Sequence, residues 1–298
     1  MPRAPRESRS TLLALWETRS SRALRAVGLD SVRTTILTLA VLASLIPTVA
    51  TGWISYRQNS RAIQDKLTEQ LSGLSVEAAR EMDLWLKEGL YNLKVFATSY
   101  EVTENVARGP QVRGRLPDYL RSVRERFADY EELLVVAANG RTVASSERVS
   151  GRLHFTGDWL LPARSGDPVL GDPFVIDSAH GPVMELAVPI VGANGRFVGA
   201  LVARMNFRGG RGLLHALMAG RPGRLVLLMR EGGVIVTTGT PYAAMPLRQL
   251  RRLEQADGKP LSFDDPNGLG VVGALAPIHR TGWGALADIP QTTAFAQI

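Results

Sequence analysis

Four histidines, no cysteine and a scatter of acids are what this chain offers to a reaction, and their spacing builds none of the common sites. His154, His180, His215 and His279 lie too far apart to form an HExxH or a Cys-His metal motif. Gly209-Gly210-Arg211-Gly212 follows a predicted strand and opens a helix, a place where backbone amides can face a phosphate. The GxGxxG and GxxxxGK(S/T) spacings are absent, so a flexible hinge between two units is the expectation. Asp264-Asp265-Pro266-Asn267-Gly268 lacks the glutamate that closes a calcium loop and reads as a turn. No GxSxG elbow accompanies the serines. These residues define no enzyme, and no cofactor or metal is expected.

One charged residue stands out by its position. The alternation Val202, Arg204, Asn206 places Arg204 on one face of a strand whose neighbours are apolar. A guanidinium buried there requires a carboxylate partner or an anionic ligand, with Glu185 and Asp177 as internal candidates. The alternative is that it points to solvent on the open face of a sheet.

The elements that must position such residues begin with Thr34 to Tyr56, a run without charge that is long enough to cross a bilayer as one helix. Arg33 borders one end, and Trp53, Tyr56 and Arg57 border the other, as headgroup anchors do. The chain of 298 residues carries a net charge of +7, which with a pI near 10.1 suggests nucleic acid until the charge is located. Residues 1–33 hold seven arginines against Glu7, Glu17 and Asp30. That surplus retains the tail in the cytoplasm and places the residues beyond the span outside, with no nucleic-acid role.

From Arg57 to about Arg108 no proline interrupts, and a long stalk helix is expected. Ile63, Leu67, Leu71, Leu74, Ala78, Met82, Trp85, Gly89, Leu93, Phe96 and Tyr100 recur at spacings that repeat every eleven residues, giving a nearly straight apolar stripe. It packs on its own domain, or part of it also pairs with a second copy. Gly109-Pro110 ends the helix, and a shorter one comes next at about Pro117 to Tyr130.

After Leu133, short strand-like runs alternate with glycine turns, and the pattern occurs twice. LLVVAANGRTVASS reads as a hairpin through Asn139-Gly140, and LVLLMREGGVIVTT repeats it about 92 residues on. Ala187 to Ile190 with Gly199 to Leu201 match Leu275 to Ile278 with Gly284 to Leu286 in the same order. The fold class is α+β: an N-terminal transmembrane helix, a stalk helix and two tandem PAS-like antiparallel sheets. The expected divisions are a tail (1–33), the span (34–56), stalk and connecting helix (57–131), a first unit (132–207), a linker helix (208–222) and a second unit (223–298).

The span, the stalk and the two sheets resemble the double Cache sensor domain of bacterial receptors over roughly Arg57 to Ile298. The segment from Gly171 to Phe207, GDPFVIDSAHGPVMELAVPIVGANGRFVGALVARMNF, carries the likeness most clearly. The resemblance implies a periplasmic, ligand-sensing domain on the inner membrane, dimeric through its stalk. It implies a histidine kinase output ahead of a diguanylate cyclase or chemoreceptor, beyond a second span to which Pro290 to Ile298 leads in a truncated chain.

In that family the membrane-distal unit holds the ligand beneath a long loop, here Glu147 to Leu170. His154, Phe155 and Trp159 on it either cover a ligand or cap the core. Amino-acid-binding members carry an arginine, a strand tyrosine and an aspartate where this chain has Gly157, Phe174 and Arg204, while Trp159 matches their tryptophan. The candidate binding residues are therefore His154, Phe155, Trp159, Phe174, Asp177, Glu185 and Arg204, and a small carboxylate or other anion is the expected ligand. A membrane-anchored enzyme with a dispersed site is the rival reading.

Overall fold

Two antiparallel sheets of the same connectivity come after one long helix. The computed structural model describes residues 32–107, 115–148, 151–176, 181–241 and 244–295. The helix α1 is Val32–Ala97, and the chain divides into a unit of residues 1–64 and a compact unit of residues 65–298.

In the first unit, Ile36–Ser55 is long and apolar enough to cross a membrane. Three of its hydroxyls are satisfied within the helix, as suits a hydrocarbon surround. Ser44, Thr48 and Thr51 donate to the carbonyls of Val41, Ser44 and Pro47 at 3.0, 2.8 and 2.7 Å. The Arg57 guanidinium lies over the Trp53 ring at 5.4 Å, a cation–π contact suited to the headgroup level.

In the second unit, the apolar stripe of α1 is consumed by its own chain. Leu71, Leu74, Ala78, Met82, Trp85 and Leu93 are buried in one core with both sheets. The side chains of Ile63 and Leu67 lie outside the described residues. The helix breaks at Thr98-Ser99, before α2 (Tyr100–Ala107), so it ends earlier than expected; Gly109-Pro110 lies outside the described residues. Helix α3 (Leu116–Arg126) buries Leu116, Leu120 and Val123 and stops short of Tyr130, which enters a strand instead.

The first sheet contains β1 (Tyr130–Ala137), β2 (Thr142–Ser145), β3 (Val169–Leu170), β4 (Phe174–Val175), β5 (Pro182–Val191) and β6 (Phe197–Asn206), with α4 (Leu160–Arg164) between β2 and β3. Its order is β2-β1-β6-β5-β3, with β4 also on β5. The second sheet contains β7 (Arg224–Leu228), β8 (Val234–Thr237), β9 (Leu261–Asp264), β10 (Gly270–Ile278) and β11 (Trp283–Pro290). Its order is β8-β7-β11-β10-β9, the same path. Helix α5 (Arg208–Met218) joins the sheets, α6 (Leu247–Gln255) lies between β8 and β9, and α7 (Gln291–Phe295) comes after β11.

The two copies agree residue by residue. Leu134, Val135 and Val136 pair with Ser145, Ala144 and Thr142; Val226, Leu227 and Leu228 pair with Thr237, Val236 and Val234, with the same register shift in each hairpin. Gly140 and Gly232 take φ of 82° and 84° at the two turns, a region where a side chain would be strained. Ser146 Oγ and Thr238 Oγ1 accept from the amides of Leu133 and Leu225 at 3.0 and 2.9 Å. Pro189 and Pro277 sit on the far stretches of β5 and β10, where no described strand pairs on the outer side.

The glycine-rich segment expected to be a hinge is instead the first turn of α5, pressed onto α1. Asp129 accepts from Trp85 Nε1 at 2.9 Å and from the Gly209 amide at 3.2 Å. A Cβ on Gly210 would lie 2.9 Å from the Met82 methyl. The glycines serve close approach here, not flexibility. Trp85, Phe207 and Trp283 then run in contact from helix to first sheet to second, at centroid separations of 5.5 and 5.9 Å.

Candidate functional site

Each sheet is covered on both faces. Leu133, Val135, Leu201, Ala203 and Met205 of the first sheet face α1. The alternate residues Leu134, Val136, Ala187 and Val202 form the opposite face and pack beneath Leu153, Phe155, Trp159 and Val169. The segment 151–159 therefore lies as a strap across the sheet. Phe155 and Trp159 stack on each other at 4.6 Å, and Gly171 leaves room for the Phe155 ring, which a Cβ there would approach to 3.3 Å.

The strap is held by a buried ionic cluster at one end of that face. Arg204 (β6), Glu132 (β1) and Glu185 (β5) are 5%, 3% and 1% exposed, and strand pairing sets Arg204 between the two acids. Arg204 Nη1 donates to Glu132 Oε2, while Nη2 donates to Glu185 Oε1 at 3.0 Å and to the carbonyl of Arg152 at 3.1 Å. Ser145 Oγ donates to Glu132 at 2.7 Å, and the His154 amide donates to Glu185 Oε2 at 2.7 Å. Arg152 and His154 thus clip the strap to the cluster while Leu153 and Phe155 point into the core. The half-exposed His154 ring stacks on Phe174 at 3.9 Å and brings Nδ1 to 3.5 Å from Glu185 Oε1. The Arg204 guanidinium lies 5.9 Å from the Phe174 ring.

Of the seven candidate residues, six fall on this strap, this cluster or the strand beside it; Asp177 lies outside the described residues. Glu185 is a partner of Arg204, as the sequence allowed. Glu132 is the member that sequence reasoning misses, because it lies 72 positions from Arg204 and only strand register brings the two together. The anion expected from Arg204 loses its basis, because Glu132 and Glu185 already pair with its guanidinium. The Arg204 Nε finds no acceptor among the described residues.

The second module carries a related trio at the same place with the signs exchanged. Glu132 pairs with Arg204 across β1 and β6, and Arg224 pairs with Asp288 across β7 and β11. Arg224 Nε donates to both Asp288 oxygens at 2.7 and 3.0 Å, and Nη2 donates to Asp265 at 2.7 Å. Burial pushes the Asp288 carboxyl up to about 6 against the pull of Arg224, and Asp265 adds to the rise. Burial also pushes Asp265 upward, but the Arg224 hydrogen bond and the amides of Leu269 and Asn267 outweigh it and hold it below the usual carboxylate range. A groove of 510 Å³ lies between α1, Gly220–Pro222 and Ile289, and its charged lining is Glu69 with the loosely paired Glu77 and Arg221.

Two PAS-like sheets in series on one long helix, each closed on its outer face, define a tandem sensor module. The chain belongs to the Cache domain family: the dCache_1 model matches residues 59–298. Cache is a sensor domain rather than a catalytic one, and the chain is the sensing part of a receptor. A comparison with curated proteins finds no match in sequence. Among solved structures, the ligand-binding domain of the Campylobacter jejuni chemoreceptor Tlp3 in complex with L-norvaline is similar at 13% identity and a TM-score of 0.59, covering 78% of this chain and 94% of that one. The V. cholerae histidine kinase DctB sensor domain is similar at 12% and 0.57, covering 76% and 98%. The ligand-binding domain of the Pseudomonas fluorescens chemoreceptor CtaA in complex with L-isoleucine is similar at 16% and 0.54, covering 80% and 99%. These likenesses concern the fold.

Proposed function

We propose that this chain is the extracytoplasmic, ligand-sensing region of an inner-membrane receptor of the histidine kinase type, with the first module membrane-distal and its small-molecule site beneath the strap. The observation that carries this reading is the strap itself, a covering of the outer sheet face by half-buried stacked rings, clipped at one end by polar contacts. The floor under those rings is aliphatic, and the cluster's guanidinium is paired internally with two carboxylates. A ligand that takes the place of Phe155 and Trp159 is accordingly uncharged and ring-bearing or branched, and neither an anion nor a free α-amino acid suits the site. The expected homodimer forms through a different face of α1 from the buried stripe. Val76, Leu84, Tyr91 and Val95 are exposed at spacings of one helical side and leave apolar surface for a second copy.

A thermal-shift panel on the full chain in phospholipid nanodiscs tests the ligand reading, using amino acids, organic acids and neutral ring compounds as probes. Stabilisation by a neutral compound, lost when Phe155 is replaced by tryptophan to fill the site, is the expected result. Stabilisation by an amino acid or an organic acid would refute the proposed ligand class.

A further inference from the structure

We propose that the second module carries a proton-responsive clasp, made by Asp288 with Arg224 and Asp265, which gives the receptor an acid input separate from the small-molecule site. All three side chains are buried, at 1%, 7% and 4% exposure, and two acids share one guanidinium. The trio therefore holds one uncompensated negative charge out of water, and a single proton removes it.

Geometry decides which acid takes that proton. Asp265 accepts from Arg224 Nη2 at 2.7 Å and from the amides of Asn267 and Leu269, each at 2.9 Å. Asp288 receives among the described residues a single N–H, Arg224 Nε, shared between its two oxygens. An ionised carboxylate has about four acceptor sites, so Asp288 is the under-solvated member of the pair. The first module shows the contrast. There Glu132 accepts from Ser145 and Arg204, and Glu185 accepts from Arg204 and the His154 amide, so both acids are served by two donors.

The surroundings of Asp288 leave these charges to act alone. Across β10 its partner is Gly273, which has no side chain, and α6 contributes Leu250 and Leu253 to that face. Beyond β8, Thr240 offers a carbonyl to Arg224 Nη1 at 3.3 Å, and α7 brings the neutral Gln291 to the neighbouring Gly270. Arg224 from β7 and Asp265 from the turn after β9 are the charged groups acting on it, and burial raises its carboxyl to about 6. Because the folded value lies above the ordinary 3.8, proton uptake favours the folded module as pH falls, and that gain is lost as pH rises through about 6. Asp288 lies three residues before α7, so the strand that tightens runs directly into that helix.

The test is urea unfolding of the full chain in nanodiscs, monitored by tryptophan fluorescence at about pH 7.5 and about pH 5, for the wild type and Asp288→Asn. Asparagine keeps the acceptor for Arg224 Nε and imitates the protonated acid. The folding equilibrium constant of the wild type is expected to rise about tenfold over this interval relative to the variant. An equal pH response in both proteins, or none in the wild type, overturns the proposal. If the variant does not fold, hydrogen exchange in the unmodified chain decides: after correction for intrinsic rates, protection of β11 rises on acidification more than that of β6. Equal change in the two strands refutes the clasp.

Discussion

Replacing Arg204 with methionine separates a structural guanidinium from one waiting for a ligand. The substitution retains much of the side-chain volume but strands Glu132 and Glu185, which are 3% and 1% exposed and face each other across the vacated position. Removing one partner of a buried ion pair costs about 3–5 kcal/mol, and here two carboxylates are orphaned together. For a compact unit of this size each kcal/mol lowers Tm by about 2–4 °C, so a fall of roughly 6–20 °C is expected. The companion variant replaces Glu132, Arg204 and Glu185 together by Leu, Met and Leu, which removes all the charge and restores most of that loss. Calorimetry and circular dichroism on the full chain in nanodiscs measure both. A melting point for Arg204→Met within about 2 °C of wild type would refute the reasoning, because a guanidinium whose loss is so mild is not compensating buried acids.

The same geometry bears on topology, association and packing. A reporter active only in the periplasm, fused after Ile298, should be active, and a cytoplasmic signal from that position would reverse the assigned topology. Single cysteines at Val76, Leu84, Tyr91 and Val95 should crosslink between copies in membranes, while cysteines at Leu71 and Leu74, buried in their own chain, should not; the opposite pattern would return the dimer face to the buried stripe. Gly210→Leu should destabilise the compact unit by about 1–3 kcal/mol through collision with Met82, and a neutral effect in chemical denaturation would mean that α5 is free to move off α1.

Local signals proved readable. The hairpin at Asn139-Gly140 and its counterpart at Gly232 are encoded by adjacent residues, and the 92-residue offset between them survives as matching registers, hydroxyl contacts and positive-φ glycines. The hidden features depended on chain-distant pairing. Nothing near Arg204 announces Glu132, and nothing near Arg224 announces Asp288, 64 positions later, because each pair is assembled by the register of neighbouring strands. A signal did exist: Glu132 and Arg224 stand immediately before matching apolar runs, at the same distance from the turn glycines Gly140 and Gly232, and mark a position that both copies keep charged. Gly209 and Gly210 mislead for another reason, since the absence of a side chain serves a hinge and a close contact equally well. The α1 stripe was legible as a face, but sequence could not say which surface would cover it.

The prolines of β5 and β10 bear on how many of these receptors can share a membrane. Receptors tethered to one bilayer are confined to two dimensions, where sheet edges meet often and in similar orientation. An open strand edge there would invite neighbouring copies to add to one another in an unlimited array. Pro189 and Pro277 interrupt the row of amide donors on the unpaired stretch of each sheet, at the same point in both copies. The duplication thus doubled the number of vulnerable edges and duplicated the block along with them, which leaves helix faces rather than sheet edges as the surface for any association between copies.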